Sequence, residues 1–349
     1  MNPFHYESAD TLASAFAALQ QHPAAQPLAG GTNLLDLMKE NVVRPGALVD
    51  INRLALSTIE PTPQGGLRLG ALARNAATAY HPLVRAHYPM LSAAILSGAS
   101  PQIRNMASNG GNLMQRTRCV YFYDTATPCN KREPGTGCSA VGSLARQHAI
   151  LGASTHCIAV HPSDMCVALA ALEATVHVEG PLGARAIALA DFHRLPGEQP
   201  DQDTTLQPGE IIVAIELPPP GGLAAHSAYL KLRERTSYAF ALASVAAALE
   251  VNSEGRIARA RIALGGVAHK PWRRLEAEDV LTGQKPGNTA FERAASVLLE
   301  GAQPQGVGLG HNGFKIPLAR RAIVRALGLA TAGTPGPERP NATTPGIPA

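Results

Sequence analysis

The chain has 349 residues, 45% hydrophobic and 16% charged, which suits two or three globular domains and excludes a polymer too polar to bury a core. Its net charge of +4 is spread along the sequence, and the densest basic group, Arg320, Arg321 and Arg325, forms one stripe of a helical pattern, so nucleic acid is not an expected partner. No apolar run approaches the roughly 20 residues of a membrane span, and Met1 to Glu7 has neither the basic nor the apolar part of an export signal.

A first helix is expected from Ser8, as N-cap, to Gln21, with Leu12, Ala15, Phe16 and Leu19 on its apolar face. A glycine turn follows, Leu28-Ala29-Gly30-Gly31-Thr32-Asn33, and opens a short helix at Leu34 to Met38. Ala47 to Ile51 and Leu67 to Ala71 read as strands. A second glycine turn lies at Ser108-Asn109-Gly110-Gly111-Asn112. Glycine lets backbone N–H groups approach phosphate oxygens, and a helix starting there adds the positive end of its dipole, so both turns are candidate phosphate cradles. A Gly-Gly pair alone is more often only a tight turn.

Four of the five cysteines come next: Cys119, Cys129, Cys138 and Cys157, with spacers of nine, eight and eighteen residues rich in turn formers. Clustered thiols in loop-rich backbone point to a metal. Structural zinc favours short Cys-x2-4-Cys knuckles, which are missing, whereas the wider corners of an iron–sulfur cube tolerate irregular spacing. An odd cysteine count and a chain long enough to bury a core weigh against disulfides. Zinc and disulfides stay open as alternatives. Cys166, at the start of an apolar helix, reads as a small buried hydrophobe.

Ile158 to Val160 reads as a strand, His161 to Asp164 as a turn, and Val167 to Glu173 as a helix that Asp164 is able to N-cap. Thr175 to Val178 and Glu210 to Leu217 are further strands, and Pro218 to Gly222 marks a domain boundary. Beyond it come a helix at Tyr238 to Leu249, a strand at Ile257 to Leu264, and helices near Ala290 to Leu299 and Pro317 to Leu327. This pattern suggests an antiparallel sheet covered by helices. Lys231 reads locally as a solvated strand-end lysine. Gly308-Leu309-Gly310-His311-Asn312-Gly313 matches the dinucleotide fingerprint but follows no strand, so it is expected to be a flexible connector. The stretch from residue 330 to Ala349, rich in Pro, Gly and Thr, is expected to be a disordered tail.

The two glycine turns, Pro162-Ser163-Asp164, and Ala263-Leu264-Gly265-Gly266-Val267-Ala268-His269-Lys270-Pro271, in that order, resemble the FAD-binding subunits of the molybdenum hydroxylases, the xanthine dehydrogenase and carbon monoxide dehydrogenase family, over about residues 3–329. The cysteine insert is similar to that of FAD subunits of bacterial periplasmic aldehyde oxidoreductases, which carry an extra [4Fe-4S] cluster. The resemblance implies an α+β fold. A two-part FAD-binding region of the PCMH type would occupy residues 1–55 and 56–218, with an iron–sulfur insert at about 115–158. A C-terminal α+β domain of antiparallel sheet and helices would follow at 223–329, then the tail at 330–349.

The resemblance further implies FAD held at its diphosphate by Leu28, Ala29, Gly30, Gly31, Thr32, Asn33 and Leu34, and by Ser108, Asn109, Gly111 and Asn112. Asp164 would meet the ribityl side and Lys231 the flavin, with Arg118, His193 and Ile212 as further neighbours. Cys119, Cys129, Cys138 and Cys157 would hold the [4Fe-4S] cluster, and no residue would be catalytic on substrate. The sequence departs from the family pattern at Asn109, where Thr, Val or Ile is usual, and at Cys166. The implied partners are a large molybdenum-cofactor subunit, a small [2Fe-2S] subunit and an external electron acceptor, with no membrane insertion. A periplasmic location would require co-export with a partner bearing a twin-arginine signal; the alternative location is the cytoplasm. From the residues alone, the competing function is a zinc-stabilised binding or assembly module without redox activity.

Overall fold

The computed structural model describes residues 1–334 and contains three sheets. The first is parallel, in the order β1 (His5–Ser8), β3 (Ala47–Asp50), β2 (Ala25–Leu28). Parallel neighbours need crossovers, here the helices Leu12–Gln21 and Leu34–Lys39. The N-cap of the first helix is Thr11, in a capping box with Ser14, because Ser8, expected in that role, still belongs to β1.

The second sheet is antiparallel, in the order β4 (Ile59–Pro61), β5 (Leu67–Gly70), β8 (Ile211–Leu217), β6 (Thr175–Gly180), β7 (Gly183–Ala188). The third is β9 (Ser227–Leu232), β10 (Ala243–Val251) and β11 (Ile257–Gly265), with β10 in the centre. The whole is α+β, with helices covering antiparallel sheets in the second and third units. Among the described residues, no helix is long and apolar enough to cross a membrane.

Three local expectations are corrected. The helix expected over Tyr238 to Leu249 is largely strand β10, whose residues alternate between two cores: Val245, Ala247 and Leu249 face one, Ala246 and Ala248 the other. A strand buried on both faces shows a continuous apolar run, which sequence periodicity does not separate from a buried helix. Ile158 to Val160 pairs in no sheet; Ile158 O accepts the Ala149 amide, and the His161 amide reaches Ala268 O. The Gly308 segment is not a loose connector. It is a 3-10 turn whose Gly310 carbonyl accepts the Ala145 amide at 2.9 Å, while the Val307 amide reaches Ser143 O at 3.2 Å.

The tail expected from residue 330 is corrected at its first residues. The last helix, Lys315–Thr331, runs past that point, and Thr334 Oγ1 donates to Ala224 O while accepting the Ser227 amide. The rest of the expected tail, residues 335–349, lies outside the described residues.

Candidate functional site

The first glycine turn leaves β2 and enters the helix Leu34–Lys39. Gly31 turns the chain with φ of +72°, and Gly30 lies so close to the Met106 carbonyl that a Cβ there would stand 2.1 Å from the oxygen. That approach packs the first turn onto the segment leading into the second. Among the described residues, the amides of Gly30, Gly31, Thr32, Asn33 and Leu34 have no acceptor. Asn33 adds another donor. Its Oδ1 accepts the Arg116 amide at 3.0 Å, which fixes the side-chain amide and leaves Nδ2 buried without a partner. Convergent free N–H groups are the donor set an anionic ligand requires.

The second turn is different. Ser108 caps the helix Asn109–Leu113, and its Oγ accepts the Gly111 amide at 3.2 Å. The Asn109 amide goes to Ala73 O, that of Gly110 to Ala71 O and that of Asn112 to Ser108 O. Asn109 has a fully buried side chain bonded to Asn75, Thr78 and Gly70 O. Asn112 is held by Asn75 and Gln115, and its Oδ1 accepts the Ser163 hydroxyl at 2.5 Å. The turn therefore uses its amides internally and supports its neighbour. Gly110 meets Ile212 on β8, 6% exposed, across a close contact.

Asp164 is the first residue of its helix, and Ser163 is the N-cap through Oγ to the Cys166 amide. Freed from capping, the Asp164 carboxylate accepts Lys231 Nζ at 2.7 Å and Tyr229 Oη at 2.6 Å, while Lys231 also donates to Ser97 O. Both charged side chains are almost fully buried, at 7% and 4% exposure, so Lys231 is no solvated strand-end residue. Burial raises the Tyr229 pKa well above its ordinary value, keeping the phenol a donor. His193 is buried, and its Nε2 donates to Leu113 O at 2.9 Å, bracing the helix of the second turn; burial lowers its pKa to about 4. Its ring packs on His161 at 4.3 Å, and burial holds that imidazole neutral as well.

Cys119, Cys129, Cys138 and Cys157 line one cavity with Thr117, Phe122, Lys131 and Ala159. All are free thiols. Burial raises Cys119 to about 12 and Cys157 to about 11, so a metal would be needed to hold thiolates there at neutral pH. Among the described residues, no three of these sulfurs lie within 4.8 Å of one another. Tetrahedral zinc with bonds of about 2.3 Å would bring its sulfurs to ~3.8 Å. Cys166 stands apart, fully buried in its helix, as expected of a small hydrophobe.

The residues flanking Thr117, at the edge of the cavity, are bonded to the first turn and its helix. Besides the Arg116 amide on Asn33, Arg118 Nη1 reaches Asp36 Oδ2 at 2.7 Å and Tyr123 Oη at 2.6 Å. Lys131, buried beside the thiols, forms an ion pair with Asp203, which Arg116 also binds at 2.8 Å.

Residues 2–220 match the profile of the FAD binding domain in molybdopterin dehydrogenase, and residues 227–330 match the CO dehydrogenase flavoprotein C-terminal domain. The chain belongs to the FAD-binding subunits of the molybdenum hydroxylases. It is 49% identical over 333 residues to the aldehyde oxidoreductase FAD-binding subunit PaoB of Escherichia coli strain K12, covering 95% of this chain and 99% of that one. It is 27% identical to the glyceraldehyde dehydrogenase medium chain of Sulfolobus acidocaldarius, covering 93% and 95%. Among solved structures, reconstituted CO dehydrogenase from Oligotropha carboxidovorans matches with a TM-score of 0.74 and 28% identity over 95% of this chain and 99% of that one.

For a flavoprotein of this family, the unpartnered amides from Gly30 to Leu34 and the Asn33 Nδ2 fit a diphosphate. Sequence reasoning missed Asn75, Thr78, Arg116 and Tyr229. Only Tyr229 left a local signal, since it lies two residues before Lys231 on β9 and so shares its face.

Proposed function

We propose that the chain is the electron-transferring FAD subunit of a molybdenum-containing aldehyde oxidoreductase. It would take electrons from a large molybdenum-cofactor subunit through a small [2Fe-2S] subunit and deliver them to an external acceptor. The amides from Gly30 to Leu34 and the Asn33 side chain hold the FAD diphosphate. Asp164 and Lys231, buried between the FAD-binding part and the third sheet, orient the ribityl and flavin side. Ser108, Asn109, Gly111, Asn112, Ile212 and His193 keep the turns in place. FAD, when bound, supplies a centre that takes up two electrons singly and passes them on. Cys119, Cys129, Cys138 and Cys157 hold a [4Fe-4S] cluster.

The observation that carries this reading is the bond from the Arg116 amide, next to the cavity-lining Thr117, to Asn33 Oδ1 of the first glycine turn. A metal that only stabilised a loop would not need to abut the donor set for a flavin. The likeness to the E. coli aldehyde oxidoreductase subunit supports an aldehyde as the substrate of the assembly. We also propose that the chain reaches the periplasm with a signal-bearing partner.

The test is the absorption spectrum of the purified protein with iron, sulfide and flavin analysis. Flavin bands with four iron and four sulfide per chain are expected from cluster chemistry. A colourless zinc protein would falsify the reading in favour of an assembly module. The purified chain alone should not oxidise aldehydes, but should restore electron delivery when its molybdenum and [2Fe-2S] partners are added.

A further inference from the structure

One buried polar contact at the cysteine cavity has no part in the reading above. His148, 6% exposed, places Nε2 at 3.1 Å from Cys119 Sγ. Its other ring nitrogen, Nδ1, is buried and without a partner. A neutral imidazole has one N–H to place. On Nδ1 that proton would be buried with no acceptor in hydrogen-bond geometry; on Nε2 it points at sulfur. A doubly protonated ring would also donate through Nε2, so the direction of the bond is the same in either state.

The position of the ring is imposed from a distant part of the chain. His148 O accepts Lys315 Nζ at 2.8 Å and Asn312 Nδ2 at 3.1 Å, and Asn312 Nδ2 also reaches Ala149 O at 3.2 Å. Lys315 Nζ donates to Gly266 O as well. The Gln303 amide closes the clamp on Ile150 O at 2.8 Å. Lys315 and Asn312 are both fully buried. The C-terminal part thus fixes a loop of the cysteine insert at the residue that faces a thiol.

A hydrogen bond to a cluster thiolate withdraws electron density from sulfur and stabilises the reduced, more negative state. We propose that His148 is a positioning and tuning residue: its Nε2–H donates to Cys119 and raises the reduction potential of the iron–sulfur centre at that corner. This rests on the cluster reading, and the experiment separates the two.

Wild type, His148→Phe and His148→Gln are prepared as the full chain, with iron, sulfide and FAD determined for each. The cluster midpoint is then measured by an EPR-monitored redox titration. His148→Phe, which keeps ring volume but has no donor, is expected to retain iron and FAD and to shift the cluster midpoint to more negative values while the flavin midpoint stays in place. His148→Gln, which retains an N–H, should recover part of the shift. An unchanged cluster midpoint in iron-replete His148→Phe overturns the inference. Absence of iron from wild type overturns the cluster reading instead.

A second measurement needs no variant. Wild-type protein labelled with 15N-histidine should show a nitrogen coupling to the reduced cluster by pulsed EPR. Its absence rejects the hydrogen bond, even if His148→Phe loses iron.

Discussion

Gly31 holds a left-handed φ of +72°, and a Cβ there would lie 2.8 Å from Leu35 Cδ1. A β-branched residue in that region costs of order 1–3 kcal/mol, so Gly31→Val is expected to weaken FAD binding by roughly 5- to 150-fold. Flavin absorbance per protein after gel filtration reads the effect, and normal flavin content would refute it. Asp164 makes a second residue-scale case. Removing its charge leaves Lys231 buried and unpaired, so Asp164→Asn should destabilise the chain by about 3–5 kcal/mol in urea unfolding. A change below 1 kcal/mol would mean that water reaches Lys231. At this scale the sequence marked Asp164 as important but gave two readings for it, N-cap and cofactor contact. The structure assigns the cap to the adjacent Ser163 and the carboxylate to Lys231, a pairing across 67 residues that no local pattern encodes.

Among elements, β10 is the clearest misreading, and its cause is its alanine content. Small side chains are required because helices press on both faces of the strand, and the same residues favour a helix in isolation. Ala247 is fully buried in the C-terminal core, so Ala247→Leu should cost about 1–3 kcal/mol through overpacking, seen as a lower urea midpoint. An unshifted midpoint would reveal unfilled space beside β10. The strand β8 was legible because its run of branched apolar residues, Ile211 to Ile215, is bounded by turn formers. The cysteine insert has little regular structure, so its signal was composition alone. Cys138→Ser is expected to lose iron and Cys166→Ser to keep it, by colorimetric iron assay; equal losses would show that the wrong four thiols were chosen.

Across the whole molecule, Lys315 joins the last helix to both the insert and the end of β11. Burial lowers its pKa from 10.5 to about 7. Between those values the unfolded chain keeps a proton that the folded chain has released. Folding is therefore penalised in full below pH 7 and relieved as pH rises toward 10.5, by up to about 1.4 kcal/mol per unit. The stability of wild type relative to Lys315→Met should climb across that interval and stay flat below it. Parallel stability curves would mean that Lys315 keeps its proton when folded. Family membership was legible from four short motifs in order, but the clamp between residues 148 and 315 was not, because it joins groups 167 positions apart.

The bond from the Arg116 amide to Asn33 has a consequence for assembly. It ties the first glycine turn to the segment leading into the cysteine insert, so on the proposed reading ordering either lowers the entropy cost of ordering the other. Coupling between two binding sites is reciprocal by necessity. A chain loaded first with flavin should gain affinity for iron by the same factor that an iron-loaded chain gains for flavin, whichever cofactor arrives first.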